Sequence, residues 1–259
     1  MNTLKTEKFE MDFFTFGKGH RNLVIIPGVS VRSVMLSEDA IAGAYSSFAD
    51  YYTVYVFDRI RNISEGYSVM DMADDTAEAM NQLGVSEADI FGTSQGGMIA
   101  MCIAIRHPEI VNKMVLASTA ARLNKESEAV CRRWKELTEM GDISELNRDM
   151  TEKVYTPSFV EKYKDYFKMT ENVGTADEMK RFSKIVDAHK NYDIYDELEK
   201  IKCPVLVIGA ECDKVLSAEA SEEIAEKLGC ELYIYKGYGH AVYDEAADFK
   251  ELIILLKAN

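Results

Sequence analysis

Gly92-Thr93-Ser94-Gln95-Gly96 has the spacing G-x-S-x-G. In that pattern a serine stands at the tip of a tight strand-to-helix turn, and glycines flank it because nothing larger fits two positions away. Three fixed positions recur by chance about once in ten chains of this length, so the pattern alone carries little weight. Its setting carries more. Asp89-Ile90-Phe91 reads as a strand end directly before it, and Gly97 to His107 reads as a helix, apolar nearly all round, directly after it. A serine hydroxyl is a weak nucleophile until a base takes its proton. Of four histidines, His20 sits in a polar turn, His107 ends the apolar helix, and His189 closes a helix in a charged stretch. Capping or surface roles suit those three. His240 lies in a loop after the last strand, in Gly237-Tyr238-Gly239-His240, and is the expected general base.

An acid that orients the base should follow the preceding strand. Val205 to Ile208 runs into Gly209-Ala210-Glu211-Cys212-Asp213, which offers Asp213 with Glu211 as its rival. The chain order Ser94, Asp213, His240 is the order used by one fold with this serine turn. Developing negative charge on a substrate oxygen needs two backbone donors. The N–H of Gln95 opens the helix after the serine. The N–H of Val29, in Pro27-Gly28-Val29-Ser30 after the first parallel strand, is the second expected donor, although Gly28 would serve equally to end that strand.

Positioning these groups requires a sheet. Leu23–Ile26, Tyr52–Phe57, Lys113–Ala117, Pro204–Ile208 and Leu232–Tyr235 are short, near-continuous apolar runs, as in strands buried on both faces of a parallel sheet. Helical patterns alternate with them. Val69, Met72, Ala73, Thr76, Ala77, Met80 and Leu83 recur at three- and four-residue steps, with Ser68 as N-cap and Gly84 as stop. Phe249, Leu252, Ile253 and Leu256 share one face of a final helix. The series predicts an α/β fold with a doubly wound, mostly parallel sheet, to which Lys8–Phe16 adds an antiparallel edge. From 122 to 200 the pattern is helical only and strongly charged. We therefore expect a core of residues 1–121 and 201–259, with 122–200 as a helical cap over the strands' C-terminal ends, where open α/β sheets bind ligands. Trp134 and Tyr163 are the cap aromatics expected to face a pocket, with ordinary packing as the alternative.

Bulk properties narrow the partners. Net charge is −14 over 259 residues, a balance that repels phosphate backbones and anionic lipid, so neither nucleic acid nor a membrane surface is expected. Five cysteines without C-x-x-C spacing read as free thiols of a cytoplasmic protein. Met1–Asp12 is too polar for a secretory signal. No metal cluster or phosphate-cradling loop stands out, and the chemistry above requires no cofactor.

Together these residues resemble the α/β-hydrolase superfamily over nearly the whole chain. The parallels include Ile26-Pro27-Gly28, Phe57-Asp58-Arg59, the Ser94 turn, Arg106-His107-Pro108-Glu109, Lys202 to Gly209, Asp213 and His240. The chain departs from many relatives in carrying Pro27 where they carry histidine, and in placing Asp213 four residues after Gly209 rather than three. Serine at position 94 sets it apart from relatives with an aspartate nucleophile. The resemblance implies acyl transfer to Ser94 followed by attack of water activated by His240. A carboxylesterase for small or medium apolar acyl esters is the first expectation. Carbon–carbon bond hydrolysis or acyl transfer by the same residues is the second, and a substrate carboxylate would then want Arg59, Arg122, Arg132 or Arg133. A ligand-sensing protein with little turnover is the third.

Overall fold

The computed structural model describes residues 1–254. Among the described residues one sheet of eight strands organises the fold: β1 (Asn2–Lys5), β2 (Glu10–Phe16), β3 (Arg21–Ile26), β4 (Tyr52–Ile60), β5 (Ala88–Thr93), β6 (Val111–Ala117), β7 (Val205–Ala210) and β8 (Glu231–Tyr235). They lie in the order β1-β2-β4-β3-β5-β6-β7-β8. The β1–β2 and β2–β4 pairs are antiparallel and all others are parallel. The apolar runs follow from this geometry, because alternate side chains enter two separate cores. In β3, Val24 and Ile26 join the core on one face while Leu23 and Ile25 join the other. In β6, Met114 and Leu116 face one way and Val115 and Ala117 the other.

Helices cover both faces. They are α1 (Glu38–Ala44), α2 (Val69–Gln82), α3 (Gln95–Arg106), α4 (Lys125–Met140), α5 (Ile143–Val154), α6 (Pro157–Lys162), α7 (Lys164–Thr170), α8 (Ala176–Asp187), α9 (Ala218–Leu228), α10 (Val242–Glu245) and α11 (Phe249–Ile254). Ser68 caps α2 as expected: its hydroxyl accepts from Asp71 N–H while the Asp71 carboxylate accepts from Ser68 N–H. Gly84 follows at φ +73°, a left-handed conformation that ends the helix at low cost. Residues Gln95 to Ala104 of α3 are all buried, so this helix is wrapped by protein on every side. Each large apolar side chain placed there, such as Ile99 or Met101, contributes about 1.5–3 kcal/mol of burial.

The structure corrects three expectations. The segment ending at Phe16 is not the sheet edge, because Asn2–Lys5 pairs outside it as β1. At the other end β8 is an edge rather than a strand buried on both faces, with Leu232 and Tyr233 exposed. In β4 the strand runs past Asp58 to Ile60, which pairs with Met11. Phe249 and Ile253 of the last helix are buried, whereas Leu256 lies outside the described residues.

Between β6 and β7 the described chain is helical, apart from one antiparallel bridge joining Arg122 to Asp193. Helix α4 packs along α5 and α8, and the 3-10 turn Tyr195–Lys200 packs back on α3 and α9. The insertion is tied to the sheet through α8. Arg181 donates to the carbonyls of Arg59 and Ile60 and to Asp58, and Lys184 Nζ donates to the carbonyl of Ile63. No helix among the described residues is long and apolar enough to cross a membrane.

Candidate active site

Ser94 stands between β5 and α3 at φ 53°, ψ −124°, a conformation that costs a non-glycine residue about 1–3 kcal/mol. The surroundings over-determine it. Ser94 N–H donates to Ala117 O on β6, and Ser94 O accepts from Thr119 Oγ1 at 2.7 Å. Glycine is required on both sides for reasons of space. A Cβ on Gly96 would fall 1.8 Å from Ile26 O, and one on Gly92 would fall 2.5 Å from Gly96 O. β3 and β5 are neighbours, so the loop after β3 lies directly against the serine: a Cβ on Gly28 would come 3.0 Å from Ser94 Cβ.

That loop is held from two directions. Gly28 N–H donates to Thr93 Oγ1 at 3.1 Å, and the Arg59 guanidinium donates to Pro27 O at 2.7 Å. Among the described residues neither Val29 N–H nor Gln95 N–H has a protein acceptor. Val29 lines the same cavity as Ser94. Val29 N–H is therefore open to the cavity, whereas Gln95 is fully buried and is not among the residues that line it.

His240 and Asp213 meet as expected. His240 Nδ1 and Asp213 Oδ2 are 2.8 Å apart and both side chains are buried. Asp213 Oδ1 accepts from the N–H groups of Val215 and Leu216 at 2.8 and 3.0 Å. Burial would raise the Asp213 pKa, but the charge and hydrogen bond of His240, with those two N–H donors, bring it below the ordinary carboxylate value. An ionised Asp213 holds the imidazole proton on Nδ1 and leaves Nε2 as the acceptor. Glu211, the rival carboxylate, is exposed and accepts instead from Gly237 N–H. The histidine loop rests on the insertion: Ala241 N–H donates to Val154 O at 2.9 Å, and Glu245 accepts from Thr156 N–H and its hydroxyl.

Ser94 and His240 open into one cavity of about 360 Å³. Its walls come from the loop Gly28–Ser33, from Asn147, Met150, Thr151 and Val154 of α5, and from Tyr166 and Phe167 of α7. The α5 residues recur at three- and four-residue steps, a face legible in the sequence once a helix there is assumed. Asn147 also fixes the α7–α8 connection, donating to the carbonyls of Glu171 and Val173. Trp134 lines the cavity, with its indole N–H donating to Asp149. Tyr163 does not. It lies half exposed against Phe159, at 4.6 Å between ring centroids, on the outer side of short helices that only the folded insertion defines.

Beneath the turn lies a group that sequence reasoning misjudged. His189 is not a surface or capping residue but is buried, 3.1 Å from Gln95 Nε2 and 3.6 Å from Cys131 Sγ. Gln95 Oε1 accepts from Arg59 at 3.0 and 3.2 Å while its Nε2 donates to Ile185 O. The residue after the serine thus links the loop after β3 to the insertion. Burial and then the Arg59 charge lower the His189 pKa from 6.5 to about 4. Its folded-state value lies below its unfolded one, so between those pH values the unfolded chain binds the extra proton. Stability is full above pH 6.5 and falls with acidification, by about 3 kcal/mol down to pH 4 at 1.4 kcal/mol per unit. Urea unfolding across that range should show this loss, and His189→Gln should remove it from the slope. An unchanged slope in the variant would assign the acid sensitivity elsewhere.

The sequence model described as alpha/beta hydrolase fold matches residues 44–247. Among curated proteins, 3-oxoadipate enol-lactonase 2 of Acinetobacter baylyi is 22% identical over 232 residues, covering 88% of this chain and 85% of the relative. Among solved structures, the α/β hydrolase MGS-M2 from a Medee basin deep-sea metagenome library superposes with a TM-score of 0.90 at 20% identity, covering 100% and 98% of the two chains. The enol-lactonase from Burkholderia xenovorans LB400 superposes at 0.87 with 17% identity over the full length of both.

Proposed function

The chain belongs to the α/β-hydrolase fold family, and from that premise we propose that it is a serine hydrolase that opens carboxylic esters, open-chain or cyclic, through an acyl-enzyme on Ser94. One observation carries the reading. A serine on a strained turn and a histidine oriented by a buried carboxylate share a single cavity with Val29, whose N–H has no protein acceptor among the described residues, and the N–H of Gln95 directly after the serine has none either. The name of the enol-lactonase relative supports including lactones, which are cyclic esters.

In this mechanism Ser94 Oγ attacks the acyl carbon while His240 Nε2 takes the hydroxyl proton. The carbonyl electron pair moves to oxygen, where the N–H groups of Val29 and Gln95 receive the charge. Collapse breaks the bond to the leaving alcohol, which departs with the proton from His240. Water then adds to the acyl carbon and gives a proton to His240. That proton returns to Ser94 Oγ as the carboxylic acid is released. With a lactone the alcohol stays attached to the acyl group, so a hydroxy acid leaves in the last step. Residues 122–200 act as the cap in this reading: α5 and α7 wall the cavity, and Val154 O steadies the His240 loop.

A fluorescent fluorophosphonate tests this directly, because it reacts with serine only where base and oxyanion donors are assembled. Labelling should map to Ser94 by peptide mass spectrometry and disappear in His240→Ala. Folded protein that remains unlabelled would sink the hydrolase reading and favour a ligand sensor.

A further inference from the structure

We infer that the substrate carries a carboxylate and that Arg32 receives it, an inference about recognition that rests on the Ser94 cavity being the substrate site. The protein as a whole is a poor host for anions, with 44 acidic against 30 basic residues. The cavity reverses that balance. Among its described lining residues there is no aspartate or glutamate, and Arg32 is the one arginine or lysine. A neighbouring cavity bounded by Glu65, Lys135, Glu139, Lys184 and Asp187 carries both signs, as a surface of this composition should. A concave surface whose lining carries a guanidinium and no carboxylate favours an anion more than the rest of this acidic protein does, with Glu178 just outside the lining as the carboxylate near Arg32.

Arg32 is available for the task. It lies on the loop after β3, four residues beyond Gly28, with its carbonyl held by Ser30 Oγ at 2.5 Å. Its Nε is 3.6 Å from Glu178 Oε1, an ion pair too long for a hydrogen bond. The other oxygen of Glu178 is engaged by Thr175 N–H in the cap of α8. A half-exposed pair at this distance contributes little, and it leaves both terminal guanidinium nitrogens without a hydrogen bond among the described residues. Those nitrogens suit a carboxylate, which accepts two parallel hydrogen bonds from them. One guanidinium matches a monoanion; a phosphate dianion would need further cations that the cavity lacks.

The arginines expected from sequence are occupied elsewhere. Arg59 is buried under the serine turn, Arg122 pairs with Glu223, and Arg133 pairs with Glu145. Arg132 lines a different cavity, beside Cys131 and His189.

The test compares monomethyl glutarate with uncharged dimethyl glutarate, binding to Ser94→Ala protein by calorimetry so that turnover does not enter. The monoester should bind about tenfold to a hundredfold more tightly, the range of a charge-assisted hydrogen-bonded pair. Arg32→Gln should abolish that ratio. Glu178→Gln, which keeps the α8 cap hydrogen bond, should widen it, and 0.5 M salt should narrow it. Equal affinities, no binding of the monoester, or a preference that survives Arg32→Gln would overturn the inference. Failure of fluorophosphonate labelling with the Arg32-dependent preference intact would instead overturn the hydrolase reading and leave the anion site standing.

Discussion

Ser94→Ala is expected to lower kcat for ester hydrolysis by about a millionfold, with substrate affinity changed only a few-fold. The substitution removes the attacking atom and leaves the cavity, the two N–H donors and the His240–Asp213 pair in place. What survives is the modest acceleration that positioning and oxyanion stabilisation give a water molecule. Because serine and histidine act as a unit, adding His240→Ala to Ser94→Ala should cost almost nothing more. A Ser94→Ala protein that retains a thousandth of the activity would mean that another nucleophile operates. Ser94→Gly gives an independent readout. At φ 53° glycine relieves strain that serine or alanine must bear, and the greater freedom of its unfolded chain offsets part of the gain. This variant should be as inactive as Ser94→Ala yet more resistant to urea by about 1 kcal/mol. Equal stability of the two variants would show that the strain in the turn is no larger than the entropic cost of glycine, about 0.5–1 kcal/mol.

Asp213→Asn should reduce kcat by about ten-thousandfold at neutral pH. The carboxylate accepts three hydrogen bonds, one of them from His240 Nδ1. An amide at that position can donate to Nδ1, which favours the tautomer with its proton on Nε2, the nitrogen that must be free to take the serine proton. It also removes the negative charge that stabilises the imidazolium as it forms. Pre-steady-state acylation of Ser94 should slow by the same factor as kcat, because the defect lies in proton transfer. Glu211→Gln is the comparison, since Glu211 only accepts from Gly237 N–H. Comparable losses in the two variants would return the orienting role to Glu211. Asp213 also links activity to acid tolerance. Its folded pKa lies below the ordinary value, so the stability it adds is present above the ordinary carboxylate range and disappears as pH falls through the folded value.

Several parts of this structure were readable because they depend on neighbours along the chain. The serine turn is a local device, and the glycines at 92 and 96 are demanded by atoms that any such turn brings close. Buried strands announce themselves because both faces need apolar side chains, as in Leu23–Ile26 and Lys113–Ala117. The α2 cap is equally local, set by Ser68 and Asp71 three residues apart. By contrast, Tyr233 in β8 has the composition of an interior strand and yet lies at the sheet edge, because edge position follows from the order of strands and not from the residues of one strand.

The site divides along the same line. That Ser94, Asp213 and His240 would come together could be expected because each follows the C-terminal end of a strand, and a parallel sheet brings such ends to one edge. Nothing in the sequence marked Arg32 over Arg59, Arg122, Arg132 or Arg133, since all are cations near polar segments. Their fates depend on which carboxylates, carbonyls and cavities the packed insertion brings within reach. His189 is the sharpest case. Within its own segment it reads as the polar end of a charged helix, and only the docking of α8 against the serine turn buries it beside Gln95 and Cys131. Local sequence specifies turns, caps and buried runs because their physics acts over a few residues. Burial, charge environment and cavity walls are sums over segments far apart in the chain, and those sums exist only once the fold has closed.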